Sequence, residues 1–113
     1  MSRTRNARLA AEHAAQIFAA LGSGQRLKVL NALVRAGPDG LAIGALGERS
    51  GVVGSTLTHH VGILARAGLV RQTRRGRSII CAAAAHDEIR AISEYLLSEC
   101  CADSPNPKDH PHD

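Results

Sequence analysis

Apolar residues recur at helical spacing in successive segments of the chain, and glycines separate these segments. Such a period is typical of amphipathic helices, so the pattern predicts a mainly helical (α+β) protein. Ser23 and Ser55 stand where hydroxyl side chains commonly cap helix N-termini, and Ile17 and Phe18 are expected on the inner side of the first helix. The predicted helices span Arg8–Ala20, Gln25–Arg35, Leu41–Glu48, Ser55 to about Ala67, and a last segment that begins near Asp87.

The fourth predicted helix has one apolar side and one polar side. Leu57, Val61 and Leu64 follow one another at spacings of four and three, which places them in a single stripe. The side chains outside this stripe are hydroxyls and imidazoles, which contact base edges or phosphates in protein–DNA complexes. We expect this outer face to include Ser55, Thr56, Thr58, His59 and His60.

The segment that follows, residues 69–81, is typical of a β-hairpin that turns at Arg75-Gly76. A short helix, a tight turn, a second helix and a hairpin together make a winged helix-turn-helix with a two-stranded β-wing. In that arrangement the second helix enters the major groove of double-stranded DNA, and basic wing residues neutralise flanking phosphates or enter the minor groove. The arginines expected to do so lie at or near the hairpin tip: Arg71, Arg74, Arg75 and Arg77.

Composition and charge support a small protein with a polyanionic partner. The 113 residues suffice for one domain, and the formal net charge is +4, with bases concentrated before residue 81 and acids after it. We expect residues 1–102 to form the domain and residues 103–113, which hold three of the four prolines, to form a disordered tail. The alanine-rich core has few aromatic residues and buries little area, which favours a homodimer.

Several classes of protein are disfavoured. The chain has no apolar segment of a secretory signal, and no apolar run approaches the ~18 residues of a membrane span. We therefore expect a cytoplasmic location, no membrane contact, and reduced thiols at Cys81, Cys100 and Cys101. The sequence contains no nucleophile–base pair and no cofactor-binding loop, so neither an enzyme nor a constitutive cofactor is expected.

The sequence resembles the ArsR/SmtB family of bacterial repressors. The matching runs are residues 18–30, 55–64, 67–71 and 75–77, within a resemblance that covers roughly residues 15–98. This resemblance implies a dimeric repressor that releases its operator when a metal or metalloid binds. It also implies that the first and last helices form the dimer interface, in agreement with the apolar spacing of Ile89, Ile92 and Leu96.

The chain departs from that family at two kinds of sensor site. Arsenite-sensing members carry a Cys-x-Cys pair, and the matching positions here are Ala42 and Gly44. Zinc-sensing members use Asp/His and His/Glu pairs on the last helix. Here His86 lies at its start, but Leu97 and Ser98 occupy the region where a second histidine is expected.

A remaining candidate is the adjacent pair Cys100-Cys101 at the end of the last predicted helix. The neighbouring acids and the helix C-terminus disfavour a thiolate, which argues against an activated nucleophile. Coordination nevertheless expels the thiol proton, so the pair suits a soft thiophile. We expect it to bind a trivalent arsenical with two replaceable ligands, such as methylarsenite, since inorganic arsenite prefers a third thiolate.

Other effectors and roles stay open for the same residues. Zinc or cadmium could use the cysteine pair with His110 and His112, and the pair could instead form a thiol-redox switch. A further alternative is a thiol metal-binding module that does not bind DNA. Cys81 of the partner subunit is a third-ligand candidate, although a small apolar residue on the second wing strand is the favoured interpretation.

Overall fold

In this computed structural model, the described part of the chain comprises residues 3–98 together with Asp103. It forms a winged helix-turn-helix, as the sequence predicts: α3 and α4 make the helix-turn-helix, and the hairpin of β2 and β3 makes the wing. The elements are α1 (Arg3–Ala20), α2 (Gly24–Ala36), β1 (Leu41–Ala42), α3 (Ile43–Ser50), α4 (Gly54–Arg66), β2 (Val70–Arg75), β3 (Ser78–Ala83) and α5 (Ala85–Ser98).

The two predicted N-caps have different outcomes. Ser23 has extended backbone, and its hydroxyl accepts a hydrogen bond from the Arg26 backbone N–H at 3.3 Å, which confirms it as the cap of α2. The prediction that Ser55 caps α4 is wrong. Val53 occupies the extended cap position and makes no side-chain cap bond, so Ser55 falls inside the first turn of the helix.

The sheet has three antiparallel strands in the order β1-β3-β2, one more than the predicted two-stranded wing. Leu41 and Ala42, predicted as the start of a helix, pair with Cys81 and Ile80 instead. Gly40 permits this pairing because its φ is +74°, and a Cβ there would lie 2.2 Å from the Cys81 carbonyl oxygen. A side chain at position 40 would therefore require the backbone of the sheet to shift.

The core lies between the helices and the inner face of the sheet. Its most deeply buried side chains are mainly aliphatic: Ile17, Val29, Leu33, Leu46, Val61, Leu64, Leu69 and Cys81. The prediction that Phe18 faces inward is wrong, since Ile17 takes the core position and the adjacent Phe18 is 49% exposed. Neighbouring helix residues differ in direction by about 100°, so only one of the two can face the core.

The first and last helices pack against each other within one chain. His13 Nε2 on α1 lies 2.6 Å from Glu88 Oε1 on α5, and Ile92 is buried next to them. On the same helix Ile89 and Leu96 remain exposed. Within residues 3–98, no helix combines the length and apolar character that crossing a membrane requires.

Candidate nucleic-acid interface

Helix α4 presents a polar face to solvent, and we refer to it as the recognition helix. The predicted apolar stripe is confirmed, because Leu57, Val61 and Leu64 are all buried. The opposite face exposes most of the polar side chains predicted for it, namely Ser55, Thr56, Thr58 and His59. The Thr58 hydroxyl lies 3.5 Å from the Gly54 carbonyl oxygen, so it is held only loosely and can turn toward a ligand.

The prediction that His60 lies on this exposed face is wrong. The side chain is 8% exposed and packs toward α2, where its Nε2 lies 3.1 Å from Gln25 Oε1 and its Nδ1 lies 3.4 Å from an Arg26 nitrogen. The sequence contains a signal for this placement. Positions 57, 60, 61 and 64 follow the i, i+3, i+4, i+7 spacing of a buried helix face, with a histidine at the second position.

The surroundings of His60 favour its neutral form. Burial lowers the pKa of the imidazole below its usual value, and the positive charge of Arg26 and the neighbouring His59 lower this pKa further. An imidazole that is buried, neutral and hydrogen-bonded at both ring nitrogens has a structural role. His60 therefore does not contribute a charge to DNA contact at neutral pH.

The wing carries its basic side chains on two opposite faces. Arg71 and Arg75 point away from the core together with Thr73, because alternate strand residues share a face. Gln72 and Arg74 lie on the inner face, where Gln72 pairs with the buried Cys81. An open cleft of about 460 Å³ on the outer face is lined by Pro38, Asp39, Arg71, Thr73, Arg75, Ile80 and Ala82.

The hairpin turns at Gly76-Arg77, one residue later than the predicted Arg75-Gly76, and these two residues connect Arg75 to its cross-strand partner Ser78. Beyond Val70, every residue of β2 is exposed. In the part of the chain that the structure describes, none of the wing arginines forms an ion pair with a carboxylate. Arg75 and Arg77 thus lie at the tip as predicted. The prediction is wrong for Arg71, which lies at the base, about 13 Å along the strand from Arg75.

Most of the predicted sensor residues lie outside the part of the chain that the structure describes, and those within it do not come together. Cys100 and Cys101 lie outside the described residues, as do His110 and His112. Ala42 and Gly44, which match the cysteine positions of arsenite sensors, lie in β1 and at the start of α3. Among the residues that are described, no group of three potential metal ligands comes together.

Cys81 is fully buried in β3, where burial raises the pKa of its thiol. This placement agrees with its interpretation as a small apolar residue of the second wing strand. A thiol enclosed by the core and kept protonated is poorly suited to complete a metalloid site at the surface.

Comparison with known proteins identifies the family of this chain. Residues 9–73, more than half of the chain, match the model of the helix-turn-helix domain family. The chain belongs to this family. No curated protein matches the chain.

Several solved structures share this fold. One is an ArsR family transcriptional regulator that is 26% identical, with 79% of this chain and 88% of that chain aligned and a TM-score of 0.66. NolR from Sinorhizobium fredii is 27% identical over 88% of this chain and 92% of its own, with a TM-score of 0.62.

A third similar structure is the homodimeric winged helix-turn-helix DNA-binding domain of a possible ArsR-family transcriptional regulator from Mycobacterium bovis. It is 25% identical, 100% of this chain and 97% of that chain are covered, and the TM-score is 0.63. The family match and the solved structures that the chain resembles, which include ArsR-family transcriptional regulators, indicate a DNA-binding transcriptional regulator.

Proposed function

We propose that this helix-turn-helix protein is a homodimeric repressor that binds operator DNA and releases it when a trivalent arsenical binds. The observation that carries DNA binding is the combination of an exposed polar face on α4 with a wing whose arginines form no ion pair with any carboxylate of the described residues. Ser55, Thr56, Thr58 and His59 supply groups for base edges, and the wing arginines supply charge for phosphates.

Dimerisation is supported by apolar side chains that the single chain leaves uncovered. Phe18 on α1 and Ile89 and Leu96 on α5 are each between 39% and 50% exposed, although their helices pack on each other. A two-fold related copy would cover such side chains and would present two recognition helices to successive major grooves, about 34 Å apart. The similar domain from Mycobacterium bovis is homodimeric.

The effector assignment depends on Cys100-Cys101 and on the sequence alone. Two adjacent sulfurs match a trivalent arsenical that has two replaceable ligands, and organic arsenicals such as methylarsenite have this form. Release follows if the arsenical binds the dimer more tightly in a geometry that does not fit successive grooves. A ligand with equal affinity for both geometries would release nothing.

The test is fluorescence anisotropy of a labelled duplex taken from just upstream of the protein's own gene. After complex formation, phenylarsine oxide, arsenite and zinc are titrated separately, and the concentration that releases half of the DNA is measured for each. We expect phenylarsine oxide to act at a lower concentration than arsenite and zinc to have no effect.

Single variants connect this response to the cysteine pair. Cys100→Ser or Cys101→Ser should abolish release without changing DNA affinity. Cys81→Ala should still permit release and should leave the arsenical concentration that releases half of the DNA unchanged. Release by zinc alone would instead favour a zinc or cadmium site that uses the tail histidines. Release only by an oxidant would favour a redox switch, and the absence of any DNA complex would favour a thiol metal-binding module.

A further inference from the structure

The guanidinium of Arg26 connects three helices. Arg26 lies in the first turn of α2, and its Nε donates to the Ala20 carbonyl oxygen at 2.6 Å while Nη2 donates to the Ala19 carbonyl oxygen at 3.3 Å. These carbonyls lie in the last turn of α1, where helix carbonyls have no partner within the helix, and that of Ala19 also accepts from the Gly22 backbone N–H at 3.2 Å. The third nitrogen, Nη1, lies 3.4 Å from His60 Nδ1 on the recognition helix.

The chemistry of this contact fixes the protonation of His60. An arginine side chain can only donate hydrogen bonds, so His60 Nδ1 must be the acceptor and carry no proton. The neutral ring then holds its proton on Nε2, which donates to Gln25 Oε1 at 3.1 Å. Both ring nitrogens are thereby satisfied, and both partners belong to the first turn of α2.

Apolar packing and hydrogen bonds constrain the recognition helix differently. Leu57, Val61 and Leu64 hold α4 against the core, but apolar burial has no direction and permits small rotations about the helix axis. The bonds of His60 are directional and oppose such rotation. Because α1 is fixed by the same guanidinium, the orientation of α4 is set relative to a helix of the proposed dimer interface.

On the basis of the proposed function, we infer that Arg26 and His60 are positioning residues for operator recognition. They touch no DNA, and they hold α4 at the rotation that directs His59 and its exposed neighbours toward base edges. Their loss weakens the complex with the operator and leaves the complex with unrelated DNA unchanged, because phosphate contacts do not require a fixed rotation of the helix.

The first test measures the imidazole directly in the full-length protein. Long-range proton–nitrogen NMR spectra of ¹⁵N-labelled protein at pH 7.5 distinguish a protonated from an unprotonated ring nitrogen. We expect His60 with its proton on Nε2 and with Nδ1 unprotonated. A proton on Nδ1, or a rapidly exchanging mixture of the two forms, would overturn the inference. This result depends on no DNA measurement.

The second test compares Arg26→Lys with Arg35→Lys, the same substitution at an exposed arginine later on α2. A lysine at position 26 keeps the charge but lacks the planar fork that reaches three acceptors. Arg26→Lys should raise the Kd for the upstream duplex about tenfold and leave the Kd for an unrelated duplex of equal length unchanged at the same salt. Arg35→Lys should change neither Kd.

An equal change for both duplexes, or no change for either, would overturn the positioning role of Arg26. His60→Ala provides an independent variant: combined with Arg26→Lys, it should raise the operator Kd by less than the product of the two single effects, since both remove one contact. An increase in the operator Kd of the double variant that equals the product of the two single increases would contradict the inference. If the wild-type protein binds neither duplex, the proposed function fails, while the NMR result still decides whether the contact exists.

Discussion

The recognition helix and the wing are both proposed to contact DNA, yet they are attached to the protein in opposite ways. In α4 four side chains distributed along the helix are buried, Leu57, His60, Val61 and Leu64, whereas in β2 only Val70 at the base is buried. Helix α4 is therefore attached to the rest of the protein along much of its length. The wing is held at one end, and its tip is free to adapt.

This difference matches the two kinds of DNA contact. Hydrogen bonds to base edges require donors and acceptors in fixed positions, and a helix anchored at several points along its length supplies them. Contacts with phosphates tolerate variation in geometry, and long arginine side chains on a projecting hairpin suit them. We therefore expect specificity to reside in α4 and general affinity to reside in the wing.

The largest effect should come from removing an anchor of α4. Leu64 is fully buried, so Leu64→Ala should lower the free energy of unfolding by about 2–5 kcal/mol through lost burial and the cavity left behind. Arg74→Ala in the exposed part of the wing should change it by less than about 0.5 kcal/mol. Urea unfolding followed by circular dichroism measures both. Equal losses would show that the wing is anchored as firmly as the helix.

A smaller effect should separate the base of the wing from its tip. Gly40→Ala should destabilise by about 2–3 kcal/mol, because positive φ strains any other residue and the added Cβ meets the Cys81 carbonyl. Gly76→Ala should cost only about 1 kcal/mol, since its φ is +62° but nothing lies near the added carbon. Thermal unfolding of the two variants provides the comparison. An equal loss of stability in the two variants would contradict the close approach of Gly40 to the Cys81 carbonyl.

The division between specificity and affinity can be tested with one residue from each element. His59→Ala should weaken the upstream duplex by about 1–2 kcal/mol and leave an unrelated duplex unaffected. Arg77→Ala should weaken both duplexes and reduce the slope of log K against log salt by about 0.9. Anisotropy titrations at several salt concentrations measure these changes. An unchanged slope for Arg77→Ala removes that residue from the interface.

The smallest expected effect is a dependence of stability on pH. The pKa of folded His60 is lowered from 6.5, so its contribution to stability is complete above that value and is lost as the pH falls through the lowered pKa. Stability should thus rise with pH in this range, and His60→Gln should reduce the rise. His86→Gln, at an exposed position on α5, is the control. A pH profile unaltered by His60→Gln would mean that the pKa of His60 does not differ between the folded and the unfolded protein.

Local patterns in the sequence predict much of this architecture. The stripe of Leu57, Val61 and Leu64 and the Ser23 cap depend on residues within a few positions of one another, and both are found where the sequence places them. The hairpin is likewise a local structure. The exposure of Ser55, Thr56, Thr58 and His59 follows from the same helical period.

Features that depend on distant residues could not be predicted in this way. Leu41 and Ala42 form a strand because β3 lies beside them, and no nearby residue indicates that neighbour. The helical spacing of His60 indicates a buried position, but accepting a histidine there required knowledge that Gln25 and Arg26 on another helix would satisfy both ring nitrogens. A polar residue within an apolar pattern can therefore be assigned to the core or to the surface only when its potential hydrogen-bond partners are known.

The pairing of β1 with β3 has a consequence for the order in which the protein acquires its structure. A hairpin such as β2–β3 forms within microseconds, but bringing Leu41 to Cys81 closes a loop of about 40 residues that contains the whole helix-turn-helix. On the ribosome, β3 emerges after α3 and α4. The nascent chain therefore exposes the recognition helix before the sheet that completes its domain exists, and final consolidation of the fold awaits synthesis of the wing.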